Sequence, residues 1–207
     1  MIIPASVPWL VKKVFSGRVW QVPEKEKVIY LTFDDGPHER ITPKVLALLS
    51  KYDARATFFC IGDRVKKHPE TFSMIKNQGH TVGNHTYHHV NGWKSGVDDY
   101  VDDVLKADAL IGSTLFRPPY GRLTRSQFRR LRQLGYETVM WSILSGDYDS
   151  RLSAQQCARR VKEEIIPGAI ILFHDSDKAE KNMFFALESL LDFGNENGFS
   201  FKSLTAR

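Results

Sequence analysis

Residues 28–37 read VIYLTFDDGP, and this stretch carries more structural information than any other in the chain. Residues 28–33 are all aliphatic, aromatic or β-branched, which predicts a strand buried on both faces, as in a parallel sheet. Asp34 and Asp35 follow directly and precede Gly-Pro, a pair typical of turns. The apolar run draws both carboxylates toward a buried edge, where a metal ion or a cation must offset their desolvation.

Outside this stretch, short apolar segments alternate with longer segments of helical periodicity. Further strands are predicted at residues 56–62, 80–85, 115–117, 137–143, 169–174 and 200–204, which makes seven with residues 28–34. Helices are predicted at residues 42–52, 69–77, 97–111, 125–134, 154–165 and 183–193. Helical crossovers place successive strands in the same direction, so the sequence predicts a parallel α/β barrel.

Composition supports one globular domain. The chain has 207 residues, of which 42% are hydrophobic and 26% charged, and these values exclude a disordered or fibrous protein. The net charge of +5 is spread along the chain, so nucleic acid is not predicted as a partner. Five arginines between Arg122 and Arg132 are interpreted as a solvated helix face. Cys60 and Cys157 are far apart and are expected to be buried thiols.

The N-terminal segment, residues 1–27, is predicted to be an extension packed on a catalytic domain of residues 28–207. Its apolar part is broken by Pro4 and Pro8. Lys12 and Lys13 follow the apolar part, which is the reverse of a signal peptide. Neither a transmembrane helix nor a cleavable signal is predicted, which favours a cytoplasmic location. Association of the segment with a membrane surface is the alternative.

Three further segments add groups with metal or proton chemistry. His85 and His89 are four residues apart and can direct two imidazoles at one ion, leaving room for a carboxylate from another segment and for water. Arg117 stands in the sequence RPPY, and His174 ends the apolar run 170–173. Arg117 is a suitable partner for a buried carboxylate, and a protonated His174 can serve as an acid.

Each of these signals has an ordinary structural explanation when taken alone. The histidines fit a polar loop, the paired acids fit a turn, Arg117 fits a surface proline turn and His174 fits a hydrogen-bonded core position. All of them, however, are predicted at or just beyond the carboxyl ends of strands. In α/β barrels the catalytic groups gather at that edge. The sequence therefore favours a metal-assisted hydrolase.

The segments TFDDGP at residues 32–37 and HTYHH at residues 85–89 resemble those of the polysaccharide deacetylase family, also known as the NodB homology family or carbohydrate esterase family 4. The likeness extends from about residue 28 to the C-terminus. It implies a distorted (β/α)7 barrel of one domain. It also implies hydrolysis of N-linked acetyl groups in an N-acetylglucosamine-containing glycan, peptidoglycan or a chitin-like oligosaccharide, with release of acetate.

The resemblance also implies a role for individual residues. One divalent metal ion is expected on Asp35, His85 and His89, with Zn²⁺ first and Co²⁺ or Ni²⁺ as alternatives. Asp34 is the implied general base, oriented by Arg117, and His174 the general acid. The implied substrate-binding residues are Leu172 against the acetyl methyl group, the Tyr120 backbone N–H in the oxyanion hole, Pro119, and Tyr148 with an aromatic face.

One segment departs from the family pattern. The fourth motif of the family is usually Asp-x-x-Asp-Trp, whereas residues 144–148 read LSGDY here. Leu144 replaces the first acid and Tyr148 the tryptophan. Asp147 is retained and is expected to support Arg117 and His174, and Asp149 is a candidate to replace the lost acid. The departure weakens any inference of substrate from relatives.

Three alternative functions remain open at this point. An O-acetyl esterase or a hydrolase of small amides would use the same groups on the same fold. A catalytically silent carbohydrate-binding relative would keep the fold alone. Family members often act at the cell envelope, in contrast to the location that the N-terminal segment favours. Metal content and acetate release would separate the enzymes from the silent protein.

Overall fold

The structure is a computed structural model that describes residues 4–206. Residues 1–3 of the predicted extension and residue 207 of the predicted domain lie outside the described residues. Within that range the chain forms one curled sheet of parallel strands surrounded by helices. The predicted single-domain, distorted (β/α)7 barrel is confirmed.

The described residues contain eight strands and eight α-helices. The strands are β1 Val28–Asp34, β2 Ala56–Cys60, β3 Thr81–Asn84, β4 Leu115–Phe116, β5 Glu137–Thr138, β6 Ile143–Leu144, β7 Ile170–His174 and β8 Ser200–Phe201. The sheet runs in the order β5-β4-β3-β2-β1-β7-β6, and β8 pairs with β1. The helices are α1 Trp9–Val14, α2 Ile41–Lys51, α3 Gly62–Lys67, α4 Pro69–Asn77, α5 Val97–Ile111, α6 Arg125–Gln133, α7 Ala154–Glu163 and α8 Glu180–Glu196.

Alternation along β1 separates two apolar layers. Leu31 and Phe33 belong to the large cluster between the sheet and the helices, where the Phe33 ring stacks on Phe58 at 4.9 Å and on Phe173 at 5.8 Å between ring centroids. Tyr30 belongs to a smaller cluster on the other face of the sheet. Successive side chains of a strand point to opposite faces, so Asp34 lies on the same face as Tyr30. The inner face of the sheet is therefore apolar along most of β1 and becomes polar at the carboxyl end of the strand.

The N-terminal segment is bonded to the barrel wall by its backbone. The Val19 N–H donates to Thr138 at 2.9 Å, and the Met140 N–H donates back to Val19 at 2.7 Å. Val7 donates to Ser142 at 3.0 Å. These bonds satisfy backbone groups of residues 138–142, where the chain passes from β5 to β6 at opposite ends of the sheet.

Several element predictions need correction. The predicted strand at residues 137–143 is two short strands. Val139 still bonds to Phe116 of β4 and Ser142 to Ile170 of β7, but between them Met140 bonds to Val19, and Arg117 donates to the Val139 and Met140 carbonyl oxygens. Helix α3 was not predicted, and α8 is longer than residues 183–193. Helix α2 begins at Ile41, one residue before the predicted start, and the Thr42 hydroxyl accepts from the His38 N–H at 2.8 Å. Cys60 and Cys157 are buried free thiols, as predicted.

The stacked rings of β1, β2 and β7 are expected to dominate the stability of the barrel. Phe33→Ala should lower the free energy of unfolding by about 3–5 kcal/mol, because the ring is fully buried and leaves a cavity. Urea denaturation measures this change. Phe185→Ala on α8, where the side chain is 46% exposed, is the control and should change stability by less than about 0.5 kcal/mol. Equal effects of the two substitutions would contradict this account of the core.

Candidate active site

Strand register brings the predicted motifs to one edge of the sheet. β1 and β7 are neighbours, and their pairing places Asp34 beside His174. β3 and β4 pair through Asn84 and Phe116, so the residues that follow them, His85 and Arg117, also leave the sheet together. Parallel strands present their carboxyl ends on the same side of a sheet. The groups that are far apart in sequence therefore meet at this edge.

Asp35, His85 and His89 form the cluster of potential metal ligands. One ligand atom from each lies within 4.8 Å of the other two. Asp35 Oδ1 is 3.8 Å from His85 Nε2 and 3.2 Å from His89 Nε2. His85 is buried, whereas Asp35 and His89 are partly exposed. One carboxylate and two imidazoles, open to one side, match the donor set of a zinc site that keeps a position free for water or substrate.

The cluster carries its own orienting contacts. His85 Nδ1 lies 2.7 Å from the Arg117 carbonyl oxygen, which can only accept, so Nδ1 is the donor and Nε2 is free to face Asp35. Histidine ligands of metals are commonly held in this way. Burial lowers the pKa of His85 to about 4, so its imidazole is neutral at pH 7. Burial would raise the pKa of Asp35, but the hydrogen bond from His89 and the neighbouring histidines hold it well below the usual range.

Arg117 is fully buried and holds Asp34. Its Nη1 donates to Asp34 Oδ1 at 2.8 Å and to the Thr32 hydroxyl at 2.8 Å. The other hydrogen bonds of the guanidinium go to the carbonyl oxygens of Val139 and Met140. A buried charge is tolerated only when it is paired and its donors are satisfied. Arg117 therefore pairs with Asp34 and fixes the direction of its carboxylate.

Asp147 holds His174, which lies beside Asp34 in the register of β1 and β7. His174 Nδ1 donates to Asp147 Oδ1 at 2.8 Å, and the His174 backbone N–H donates to the other oxygen at 2.8 Å. Burial alone would lower the pKa of His174, but the charge and hydrogen bond of Asp147 and the nearby aspartates raise it to about 9. His174 is therefore a protonated imidazole at neutral pH.

The residues assigned to substrate binding surround these groups at different depths. Leu172 and Pro119 are buried, whereas Tyr120 is 60% exposed and its ring centroid lies 4.7 Å from that of His89. The half-buried Tyr148 packs its ring edge against His174 at 5.0 Å between centroids. An aromatic ring therefore flanks the cluster on the His89 side and another on the His174 side.

Several residues of the site hold left-handed backbone conformations that side chains other than glycine rarely adopt. The φ angles are 81° at Asp35, 64° at Thr86, 56° at His89 and 60° at Tyr120. Such conformations cost on the order of 1–3 kcal/mol each and concentrate at functional sites. Surrounding hydrogen bonds must therefore enforce the positions of two of the three potential ligands.

Two expectations about the fourth motif are not met. Asp147 bonds to His174, but the hydrogen-bond partners of Arg117 among residues 4–206 do not include it. Asp149 does not replace the lost acid, because Arg151 binds both of its oxygens, at 2.8 and 2.6 Å, near the surface. Leu144 is buried and pairs with Leu172. The lost acid is thus replaced by apolar packing.

Sequence reasoning missed two supporting acids. Asp103 on α5 is buried and accepts hydrogen bonds from the backbone N–H groups of Tyr87 and His88 and from the His88 ring, which orders the loop between the two histidine ligands. Its position on the apolar face of α5 was the available signal. Asp175 is buried and accepts from the Thr42 hydroxyl; burial and the charge of Asp35 raise its pKa to about 7.

Comparison with known proteins identifies the family. The family described as polysaccharide deacetylase matches residues 21–139. A peptidoglycan-N-acetylglucosamine deacetylase of Bacillus cereus is 33% identical over 192 residues, which cover 90% of each chain. The chain belongs to the polysaccharide deacetylase family, carbohydrate esterase family 4. It is an enzyme of the polysaccharide deacetylase class.

The names of further relatives of this deacetylase give either N-acetylmuramic acid or N-acetylglucosamine as the sugar. The peptidoglycan-N-acetylmuramic acid deacetylase PdaA of Bacillus subtilis is 33% identical over 193 residues, covering 87% of this chain and 71% of PdaA. A crystal structure of a peptidoglycan N-acetylglucosamine deacetylase has a TM-score of 0.87 and 29% identity, covering 96% of this deacetylase and 95% of that chain. The shared fold thus extends over nearly the whole chain.

Among residues 4–206 of the deacetylase, no helix has the length and apolar character needed to cross a bilayer.

The raised pKa of His174 in this deacetylase can be measured directly. In the metal-free protein the pKa of His174 should lie near 9, and Asp147→Asn should lower it, because the largest contribution that opposes burial is lost and only Asp34 and Asp35 still raise it. NMR of the imidazole nitrogens against pH measures both values. The pKa is raised on folding, so the His174–Asp147 pair should stabilise the fold below pH 6.5 and lose that effect as pH rises through about 9.

The matched control is Asp149→Asn, in which the neighbouring acid loses its charge but its partner is Arg151. This variant should leave the pKa of His174 nearly unchanged. A pKa of His174 that stays near 9 in Asp147→Asn would contradict the assigned pairing.

Proposed function

We propose that this polysaccharide deacetylase is metal dependent and removes the acetyl group from N-acetylglucosamine residues of peptidoglycan, releasing acetate. One observation carries the proposal: a three-ligand cluster lies beside Asp34, which Arg117 binds, and its ligand Asp35 interacts electrostatically with a protonated His174. The Bacillus cereus relative, whose name gives this activity, supports the choice of substrate.

The donor set of this chain fits a divalent metal ion. Asp35, His85 and His89 would hold it, and the Arg117 carbonyl keeps the His85 ligand atom in place. Zn²⁺ is the first choice because it accepts mixed oxygen and nitrogen ligands, and Co²⁺ or Ni²⁺ suit the same set. A Zn²⁺ ion bound there would polarise the acetamide carbonyl and lower the pKa of a water molecule toward about 7.

Asp34 is the proposed general base. Its carboxylate forms a buried ion pair with Arg117 at 2.8 Å. Its Oδ2 lies 3.8 Å from His85 Nε2, so Asp34 borders the ligand cluster without belonging to it. It can take a proton from the water that attacks the carbonyl carbon, and such transfer contributes about 10²–10⁴-fold to a rate.

His174 is the proposed general acid. Its raised pKa of about 9 means that the imidazole holds a proton at the start of the reaction. His174 gives that proton to the nitrogen as the carbon–nitrogen bond breaks, so the products are the free amine of glucosamine and acetate. Asp147 stabilises the charged imidazole and orients it. The two proton transfers thus use two groups, a base held by Arg117 and an acid held by Asp147.

Substrate contacts are proposed for the residues around this centre. The Tyr120 backbone N–H is assigned to the oxyanion and buried Leu172 to the acetyl methyl group. Pro119 keeps the turn before Tyr120 rigid, and the Tyr148 ring offers an apolar face to a sugar. Tyr148 thus keeps the aromatic character expected at this place despite the change from tryptophan.

Acetate release is the direct test of the activity. The purified protein, loaded with Zn²⁺, should release acetate from peptidoglycan, and chelation should abolish release until the ion is restored. Acetylated xylan and small cyclic amides form the comparison panel. Release from these alone would indicate the esterase or small-amide alternative, and no release from any substrate would indicate a silent relative.

The adjacent aspartates provide a matched pair of variants. Asp34→Asn should lower kcat by about 10²-fold or more while the protein still binds one equivalent of Zn²⁺, because only the base is lost. Asp35→Asn is the same chemical change one residue later and should weaken metal binding instead. Metal content by atomic spectroscopy and acetate release measure the two effects. Loss of Zn²⁺ from Asp34→Asn with retention by Asp35→Asn would reverse the assigned roles.

A further inference from the structure

A chain of exposed rings and one cation leads away from the His89 side of the site. The Tyr120 ring lies against His89, and the Arg122 guanidinium lies 5.9 Å from the Tyr120 ring centroid. The same guanidinium lies 4.9 Å from the ring centroid of Trp93, which is 66% exposed. We refer to Tyr120, Arg122 and Trp93 as the aromatic arm. It connects the ligand cluster to a large ring that the protein leaves open to solvent.

The turn that carries Trp93 is held in place by buried contacts. The Asn91 side chain accepts from the Trp93 backbone N–H at 3.0 Å. Gln127, which is fully buried, donates to the carbonyl oxygens of Gly92 at 2.9 Å and Ser95 at 3.1 Å. An ordered backbone beneath an exposed tryptophan is typical of a preorganised binding surface, because little entropy is lost when a ligand stacks on the ring. Trp93 is therefore presented to solvent from a fixed support.

Gly92 shows how closely this turn approaches the Arg122 segment. A Cβ atom at Gly92 would lie 2.4 Å from the Arg122 carbonyl oxygen, which no side chain could tolerate. The turn and the segment after Pro119 thus pack backbone to backbone. This contact sets the distance between Trp93 and Arg122 and makes the aromatic arm one unit.

Arg122 has no carboxylate partner within ion-pair distance among residues 4–206. The sequence around it, residues 112–136, contains no aspartate or glutamate at all. Its guanidinium is half-buried and lies between two aromatic rings, which bind a cation without neutralising its charge. An unpaired guanidinium in this setting is available for a planar anion, and carboxylate is the group that it binds in bidentate geometry.

We propose that the aromatic arm is a subsite for the sugar next to the one that is deacetylated, and that Arg122 recognises a carboxylate on that sugar. Trp93 supplies an apolar face for the ring of the sugar. The inference rests on the proposed function and narrows its substrate class to carboxylate-bearing N-acetylated glycans. Peptidoglycan strands belong to that class where the lactyl carboxylate is free of a stem peptide, whereas chitin oligomers are neutral.

Two substrates of equal length distinguish the contribution of Arg122 from that of Trp93. One is a peptidoglycan-derived tetrasaccharide that retains its lactyl carboxylates, and the other is the neutral chitin tetrasaccharide. Arg122→Gln should raise KM for the anionic tetrasaccharide about tenfold or more, as for loss of one charge-assisted contact, and leave kcat nearly unchanged. KM for the neutral one should change less than about twofold. Arg122→Lys should restore part of the difference.

Trp93→Ala should raise KM for both tetrasaccharides, since stacking does not depend on the carboxylate. Arg125→Gln is the matched control, because this exposed arginine on α6 lies outside the aromatic arm and should leave both KM values unchanged. Raising the ionic strength should weaken binding of the anionic tetrasaccharide more than binding of the neutral one. Equal effects of Arg122→Gln on the two substrates, or no effect on either, would overturn the proposal.

A binding measurement separates failure of this inference from failure of the proposed function. Calorimetric titration of the Zn²⁺-loaded Asp34→Asn protein with each tetrasaccharide reports affinity without turnover. Tighter binding of the anionic tetrasaccharide that disappears when Arg122→Gln is added supports the subsite even if the parent releases no acetate. Equal Kd values for the two tetrasaccharides contradict it even if the parent is an active deacetylase.

Discussion

The buried guanidinium of Arg117 is the constraint on which the rest of the site depends. It binds Asp34 and Thr32 on β1 and two carbonyl oxygens of the segment between β5 and β6. The Arg117 carbonyl oxygen in turn accepts from His85. One residue thus joins the proposed base, a proposed metal ligand and the part of the barrel where the sheet is interrupted. Removing it would leave a buried carboxylate without its cation, the costly case for buried charge.

The site combines two histidines of opposite protonation at neutral pH. His85 has a pKa of about 4 because burial outweighs the effect of Asp34 and Asp35, whereas His174 has a pKa of about 9 because Asp147 and the nearby aspartates outweigh burial. A metal ligand must offer a lone pair and a general acid must hold a proton. The same imidazole chemistry serves both needs because the positions of the carboxylates differ.

The element predictions were accurate where a segment's own pattern decided the outcome. β1 and α5 have the bounds expected from apolar runs and periodicity. Residues 137–143 also show an apolar pattern, but Met140 bonds to Val19 and the Val139 and Met140 carbonyl oxygens accept from Arg117, and no local rule describes such partners. Helix α2 likewise begins one residue before its predicted start, and the Thr42 hydroxyl donates to Asp175, which follows β7.

Periodicity, turn residues and side-chain chemistry are local properties, and they are sufficient to predict the parallel barrel, the segments that carry the site and the types of group available for catalysis. The pairing of those groups follows from the packing of distant segments. The pKa values of His85 and His174 depend on burial and on carboxylates distant in sequence. Asp147 rather than Asp149 contacts His174, and Trp93 meets Arg122, because of strand register and loop packing. Electrostatic interactions act over a few ångströms, and sequence separation does not report that distance.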